Sequence, residues 1–145
     1  MSGGEWSIFY FKLYAETIRQ LTQDVLELSK KDPSGFSDHN KTKLLHKLYK
    51  MTFEDIPADP AHDKYRCTGS LGSHKSWRRA KHKRYRLFFK FSSDKKSIAY
   101  VWFNDSTSIR RSGDKADVYN VFLKMLQNNK VPSSFADILK ESVAT

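Results

Sequence analysis

The chain has 145 residues, 39 % of them hydrophobic, and a net charge of +10 from 26 Lys and Arg against 16 Asp and Glu. This length predicts a single domain over residues 1–145, with a core that forms without disulfides. The lone Cys67 excludes an internal disulfide, and the longest apolar run, residues 98–103, is too short to span a membrane. We therefore expect a cytoplasmic protein with no membrane partner.

The first half of the chain predicts one strand and two helices. Residues 6–11 are rich in aromatic and branched side chains, which is typical of a strand, and residues 1–5 before them are expected to be flexible. Apolar residues then recur at spacings of three and four, which predicts an amphipathic helix that ends at Asp32 and Pro33. A polar start signal at 37–40 introduces a second helix, which should stop before Pro57.

The second half predicts three strands followed by two helices. Residues 77–81 and 84–91 alternate with period two and should form a hairpin, and residues 97–103 should form the central strand. A third helix is expected from Val118, with Ser112 or Asp114 near its start, and residues 132–145 should hold a short helix and a tail. The order β-α-α-β-β-β-α-α predicts an α+β fold, with helices on one face of a small antiparallel sheet.

The positive charge is concentrated in one part of the chain. Between Lys64 and Ser93 there are ten Lys or Arg and no Asp or Glu, so this stretch accounts for the whole net charge. Such a stretch indicates a polyanionic partner, with nucleic acid as the first candidate. The residues of the stretch that we expect to contact RNA are Lys75, Trp77, Arg78, His82, Lys83, Arg84 and Lys90. Trp77 could stack on a base or belong to the core or its rim.

The predicted hairpin suggests a reaction as well as binding. No metal-binding or phosphate-loop signature is present, and the predicted strands carry no carboxylates, so a metal cofactor is not expected. RNA contains its own nucleophile, the 2′-hydroxyl, and a protein need only align it, move protons and stabilise charge at phosphorus. Strand alternation places Arg79, Lys81 and Arg86 on one face, where they could converge on a phosphate. The alternative is that these cations are solvated, or bind RNA without cutting it.

Two runs of residues carry a resemblance to a known family. They are SLGSHKSWRRAKHKRYRLFFKFS from residue 70 and VWFNDSTSIRRSGDKADVYNVFLKML from residue 101. Both resemble the YhaV toxins of bacterial PrlF–YhaV type II toxin–antitoxin pairs, and the likeness extends from about residue 6 to residue 138. YhaV toxins are grouped with the RelE superfamily, which has a β-α-α-β-β-β-α fold. RelE-like members cut mRNA on the ribosome without metal, by attack of the 2′-hydroxyl.

The resemblance implies a set of catalytic residues. Arg79 and Lys81 match the cationic pair of the first hairpin strand, and Arg86 matches the arginine of the Tyr-Arg-Leu motif. Arg79 and Arg86 would bind the scissile phosphate, and Lys81 would act as base or neutralise charge. Tyr119 matches a tyrosine of the final helix region and would position the nucleotide or the proton path.

A further arginine is implied after the last strand of the hairpin sheet. Arg111 or Arg110 matches it, and Arg111 is the choice for stabilising the leaving group, with Arg110 as an RNA contact. Because residues 105–113 are longer than in the family pattern, both arginines stay candidates.

The resemblance also implies the partners. They are mRNA, the ribosome, a PrlF-like antitoxin with an AbrB-type DNA-binding fold, and operator DNA through the antitoxin complex. One alternative is a non-catalytic inhibitor with the same fold, like the ParE proteins that act on gyrase. Another is a nucleic-acid-binding co-regulator.

Overall fold

The computed structural model describes residues 5–67, 74, 76–105, 114 and 117–145. The strands are β1 Ser7–Phe11, β2 Arg78–His82, β3 Tyr85–Ser92, β4 Ser97–Phe103 and β5 Ser142–Ala144. The helices are α1 Lys12–Lys31, α2 Asn40–Lys50, α3 Ile56–Ala58, α4 Val118–Gln127 and α5 Phe135–Lys140. A π-helical turn, Met51–Asp55, joins α2 to α3. Within these residues no helix is both long enough and apolar enough to cross a membrane.

The five strands form one sheet in the order β2-β3-β4-β1-β5. The predicted hairpin of β2 and β3 and the central position of β4 are confirmed, and so is the α+β class. The sheet is mixed rather than antiparallel, because β1 runs parallel to β4, with Ser7 opposite Ser97 and Tyr10 opposite Tyr100. Helices and a long connection separate β1 from the hairpin, so no tight turn sets its direction.

Both faces of the sheet are covered, so the expectation of helices on one face is wrong. The side of the sheet that carries α1 and α2, here the α1 face, buries Tyr14, Leu48 and Leu87. The opposite side, here the α4 face, buries Phe88 and Phe122 with residues of α5. Strands β3 and β4 have consecutive buried residues, and a strand that is apolar on both sides needs cover on both.

The C-terminal strand β5 was missed by the sequence analysis. It pairs antiparallel with β1, and the Thr145 backbone N–H donates to the Ile8 carbonyl at 3.0 Å. The predicted tail within residues 132–145 therefore contributes to the sheet edge, because a three-residue strand is too short to show an alternating pattern. Residues 1–4 of the predicted flexible start lie outside the described residues.

Three helix boundaries test the predicted start and stop signals. The end of α1 before Asp32 is confirmed. The second helix does not stop before Pro57, because helical backbone continues from α2 through the π-helical turn into α3, which contains Pro57. The start of α4 is capped by Asp117, whose carboxylate accepts a hydrogen bond from the Tyr119 N–H at 3.2 Å. Asp114 lies near this start as expected, and Ser112 lies outside the described residues.

Candidate active site on the α4 face

Two arginines and one tyrosine meet between the hairpin and the start of α4. The Nε of Arg79 on β2 and the Nε of Arg86 on β3 both donate to the phenolic oxygen of Tyr119, each at 2.9 Å. Arg79 and Arg86 lie on the same side of the sheet because Lys81, two residues after Arg79, pairs directly with Arg86. The structure therefore brings together three of the predicted catalytic residues, from two strands and a helix.

Backbone carbonyls hold both guanidinium groups in fixed orientations. Nη1 of Arg79 donates to the Lys64 carbonyl at 2.8 Å, and Nη1 of Arg86 donates to the carbonyls of Lys83 and Tyr85 at 2.9 and 2.8 Å. Across the described part of the chain, Nη2 of neither arginine has a hydrogen-bond partner. Each arginine thus keeps one N–H₂ group for an anionic ligand.

The cluster is buried and contains two neighbouring cations. Arg79 is 5 % exposed and Arg86 is 7 % exposed, and the start of α4, capped by the buried Asp117, lies beside them. Two cations in such surroundings repel one another, and a bound phosphate would relieve this repulsion. The arrangement is chemically suited to hold a phosphoryl group with two fixed donors.

Asn104 is a site residue that the sequence analysis missed. Its side-chain oxygen accepts the Arg86 backbone N–H at 2.7 Å, and the residue is 2 % exposed. Asn104 follows the last residue of β4, where the ladder with β3 ends, so its amide replaces a strand partner for Arg86. The only sequence signal is a polar residue directly after an apolar strand, which is common at strand ends.

Lys81 is placed differently from the two arginines. It is exposed, and it lies on β2 opposite Arg86, on the same side of the sheet. No carboxylate within the described residues pairs with it. Lys81 therefore stands at the solvent side of the cluster, where a long cationic side chain can reach a bound substrate.

Trp77 and Lys90 belong to the core, contrary to the prediction that they contact RNA. Trp77 is 2 % exposed and packs edge-on against Phe122, with ring centroids 4.9 Å apart. Lys90 is 7 % exposed, its Nζ lies 4.8 Å from the centre of the Trp77 ring, and it donates to the Ser133 carbonyl. Burial lowers the pKa of Lys90. The Trp77 ring packs against Phe122 and the Lys90 ammonium is engaged by the Ser133 carbonyl, so neither group is placed for the predicted contact with RNA.

The remaining predicted RNA contacts lie around the hairpin. Lys83 and Arg84 are exposed in its turn, and the Arg78 guanidinium lies on the α1 face, 5.8 Å from the centre of the Phe91 ring. His82 is half-buried at the end of β2, and its pKa is lowered by burial and by the neighbouring charges of Lys47 and Lys83. The other candidates, Lys75, Arg110 and Arg111, lie outside the described residues.

The Cys67 thiol does not supply a nucleophile to the site. Cys67 is near the cluster, but burial raises the pKa of its thiol to about 11, against the opposing effects of Arg79 and Arg78. The thiol is therefore protonated at neutral pH and is no nucleophile. Within residues 5–67, 74, 76–105, 114 and 117–145, no group of three or more His, Cys, Asp and Glu is placed to hold a metal ion.

The comparison with protein families identifies the chain. The family whose sequence model matches, over residues 8–143, is that of the YhaV toxins, described as "Toxin with endonuclease activity, of toxin-antitoxin system". The chain belongs to this family. Endonuclease activity and membership of a toxin–antitoxin system, both predicted above, are thereby confirmed at the level of the family.

Curated relatives agree with the family assignment. The chain is 35 % identical over 144 residues to the ribonuclease toxin YhaV of Escherichia coli strain K12, covering 97 % of this chain and 94 % of the relative. It is 36 % identical over 141 residues to toxin YhaV of Escherichia coli O6:H1, covering 94 % and 92 %. No solved structure matches the chain significantly.

Proposed function

We propose that this toxin is a metal-independent endoribonuclease that cleaves mRNA by attack of the 2′-hydroxyl on the adjacent phosphate. The observation that carries the proposal is the junction of Arg79, Arg86 and Tyr119 through a single phenolic oxygen. It fixes two guanidinium groups side by side, as a phosphate with growing negative charge requires. The relative in strain K12 is named a ribonuclease, which supports RNA as the substrate.

The two arginines would bind the scissile phosphate. Their Nη2 groups donate to its non-bridging oxygens, which gain charge as the 2′-oxygen attacks. Because Nε and Nη1 of each arginine are already held, little side-chain reorganisation is needed on binding. The phosphate would therefore meet donors that are already oriented.

Lys81, Tyr119 and Arg111 would complete the reaction. Lys81, exposed at the solvent side of the cluster, takes the 2′-hydroxyl proton or neutralises charge on the attacking side. Tyr119 accepts hydrogen bonds from both arginines, and from this place it would position the nucleotide or the proton path. Arg111 would stabilise the leaving 5′-oxygen, with Arg110 as a neighbouring RNA contact.

The partners would be the ribosome and a PrlF-like antitoxin. A toxin–antitoxin system implies an antitoxin, and the net charge of +10 favours rapid association with an acidic antitoxin segment. An antitoxin with an AbrB-type fold would bring the complex to operator DNA. The same charge favours contact with ribosomal RNA, where the toxin would act in the bacterial cytoplasm.

The proposal is tested with purified protein, a defined mRNA and a chelator. We expect RNA fragments with 2′,3′-cyclic phosphate ends. We also expect cleavage, measured by mapping the fragment ends, to be more efficient when ribosomes are present. Ribosomes need magnesium, so the chelator arm uses ribosome-free RNA. Cleavage that requires added magnesium in that arm contradicts the metal-independent mechanism.

An arginine variant links the activity to the site. Arg79→Ala should lose growth inhibition and RNA cleavage while its thermal unfolding stays cooperative. Lys124→Ala, which removes a cation from the far end of α4, is the matched control and should keep both activities. Toxicity of Arg79→Ala at the wild-type level would refute the site, and toxicity without RNA fragments in the wild type would favour the binding-only alternative.

A further inference from the structure

A pocket of about 580 Å³ lies between β2 and the segment that runs from α2 to the 3₁₀ turn Asp63–Tyr65. Its walls combine helical and strand residues around the open edge of the sheet. The cations among its lining residues are Lys47, Lys64, Arg66, Arg79 and Lys81. A concave surface with five cations is a natural place for an anionic ligand.

Two carboxylates also line the pocket, and both are already paired. Asp55 accepts from Lys50 at 2.7 Å, and Asp63 lies 3.2 Å from Nε of Arg66. Lys47 has no carboxylate partner within the described residues, and neither has Lys81. The pocket therefore has an excess of positive charge, and Lys47 and Lys81 are available to a ligand.

The base of the pocket is apolar. Met51, Ile56 and Ala80 are buried residues that also line it. An anionic ligand with a flat apolar part would use both the cations and this apolar surface. A nucleotide has these properties, and the volume lies within the range of about 300–1,000 Å³ that small-molecule sites occupy.

Arg79 connects the pocket to the candidate active site. It lines the pocket, its Nη1 donates to the carbonyl of Lys64, another lining residue, and its Nε donates to Tyr119 on the α4 face. A single side chain therefore takes part in both sites. An RNA strand bound at the arginine cluster would have its next nucleotide within reach of the pocket.

We propose that this pocket binds the nucleotide adjacent to the scissile phosphate, with its phosphate held by Lys47 and its base against Met51 and Ala80. The inference rests on the proposed RNA cleavage, and it adds α2 to the substrate-binding surface. Lys47 lies outside the basic stretch between Lys64 and Ser93, so charge counting along the sequence does not indicate it.

The electrostatics around His82 support an anionic ligand here. Lys47 and Lys83 both contribute to the lowered pKa of His82, so the positive charges of α2 and of the hairpin turn both act on His82. Cations that repel one another in the unbound protein are stabilised when a polyanion binds.

The test compares two lysines on one helix. Lys47→Ala removes a pocket cation, and Lys43→Ala removes an exposed lysine one turn away that does not line the pocket. The probe is a fluorescein-labelled, fully 2′-O-methylated RNA hexamer, which lacks the nucleophile and stays intact during an anisotropy titration with chelator at several salt concentrations.

We expect Lys47→Ala to raise the Kd for the hexamer about tenfold at low salt, and Lys43→Ala to change it less than twofold. The slope of log Kd against log salt should fall by about 0.7 for Lys47→Ala, the loss of one phosphate contact to a single strand. Equal effects of the two variants, or none, would overturn the pocket assignment.

The outcome is separable from that of the proposed function. Cleavage of unmodified RNA by the wild-type protein tests the nuclease mechanism, whereas the hexamer reports binding alone. Wild-type cleavage together with equal Kd values for both lysine variants would refute only the pocket. Selective weakening by Lys47→Ala without any wild-type cleavage would refute only the nuclease mechanism and leave a nucleotide-binding pocket.

Discussion

The two faces of the sheet are built from the same strands but have opposite chemistry. On the α1 face, the side chains buried beneath the helices are almost all apolar, such as Leu87 and Phe89. On the α4 face, three cations are buried beside the aromatic residues: Arg79, Arg86 and Lys90. Because burial of a cation costs free energy of folding, the α4 face needs support from elsewhere.

That support comes partly from a stack of aromatic rings beside the cations. The rings of Phe88 and Phe122 are 4.1 Å apart at an angle of 7°, and Trp102 lies 5.9 Å from Phe122 at 9°. These contacts join α4 to β3 and β4, and they hold Tyr119 one turn away from Phe122. The comparison indicates that the α1 face mainly stabilises the fold. The α4 face instead holds charged groups in place, and their burial lowers the stability of the fold.

Leu87→Ala should give the largest loss of stability. Leu87 is 0 % exposed on the α1 face, so its truncation leaves a cavity and should lower the free energy of unfolding by about 2–5 kcal/mol. Chemical denaturation measures the loss, and the cleavage rate per folded molecule should stay near that of the wild type. A lower cleavage rate in the fully folded fraction would contradict the conclusion that the α1 face stabilises the fold while the α4 face carries the active site.

Arg86→Met, at the residue next to Leu87, should reduce RNA cleavage with little loss of stability, the reverse of Leu87→Ala. It removes a fixed phosphate donor, and we expect a fall of about 10²–10³ in the single-turnover rate of RNA cleavage. Replacement of a buried charge by an apolar side chain of similar length is often neutral for stability or raises it, so the melting temperature should not fall steeply. A large loss of stability with unchanged cleavage would show that Arg86 is structural.

Asp117→Ala should have an intermediate effect at the start of α4. Loss of the side-chain cap should lower the free energy of unfolding by about 1 kcal/mol and loosen the position of Tyr119. Asp117→Asn is the matched control, since Asn caps helices about as well as Asp. If the two variants unfold at the same denaturant concentration, Asp117 does not stabilise the protein by capping the Tyr119 N–H.

The smallest predicted effect is a pH dependence of RNA binding. In the unbound protein the pKa of His82 lies below its ordinary value of 6.5. A phosphate nearby favours the charged imidazole, so the pKa should rise on binding, and affinity should increase as pH falls between the bound and the unbound pKa. Anisotropy titrations with the methylated hexamer should show a change of less than about tenfold. An unaltered pH profile in His82→Gln would exclude His82 as its source.

Local patterns in the sequence predicted much of the fold. The ends of α1, the hairpin and the apolar strand β4 each follow from spacing or turn signals that act over a few residues. The parallel pairing of β1 with β4 could not be predicted in the same way, because it joins segments about 90 residues apart and depends on how the helices cross the sheet. The short β5 has no pattern of its own.

The candidate site was predictable to a similar extent. Alternation along β2 and β3 placed Arg79, Lys81 and Arg86 on one side, which the register confirms. Tyr119 came only from the family resemblance, since no local rule connects an α4 residue to the hairpin. Asn104 was missed, and Lys90 was assigned to RNA, because charge in a sequence does not reveal whether a side chain is buried.

The position of β1 also has a consequence for how the protein folds. This strand lies near the start of the chain, yet its two partners are β4 and the C-terminal β5. It cannot complete its hydrogen bonds until residues 142–144 have been synthesised, and such distant pairings make folding slow. The α4 segment that carries Tyr119 also lies in the last quarter of the chain. The two arginines are therefore synthesised before Tyr119, so the site assembles later than the hairpin that carries them.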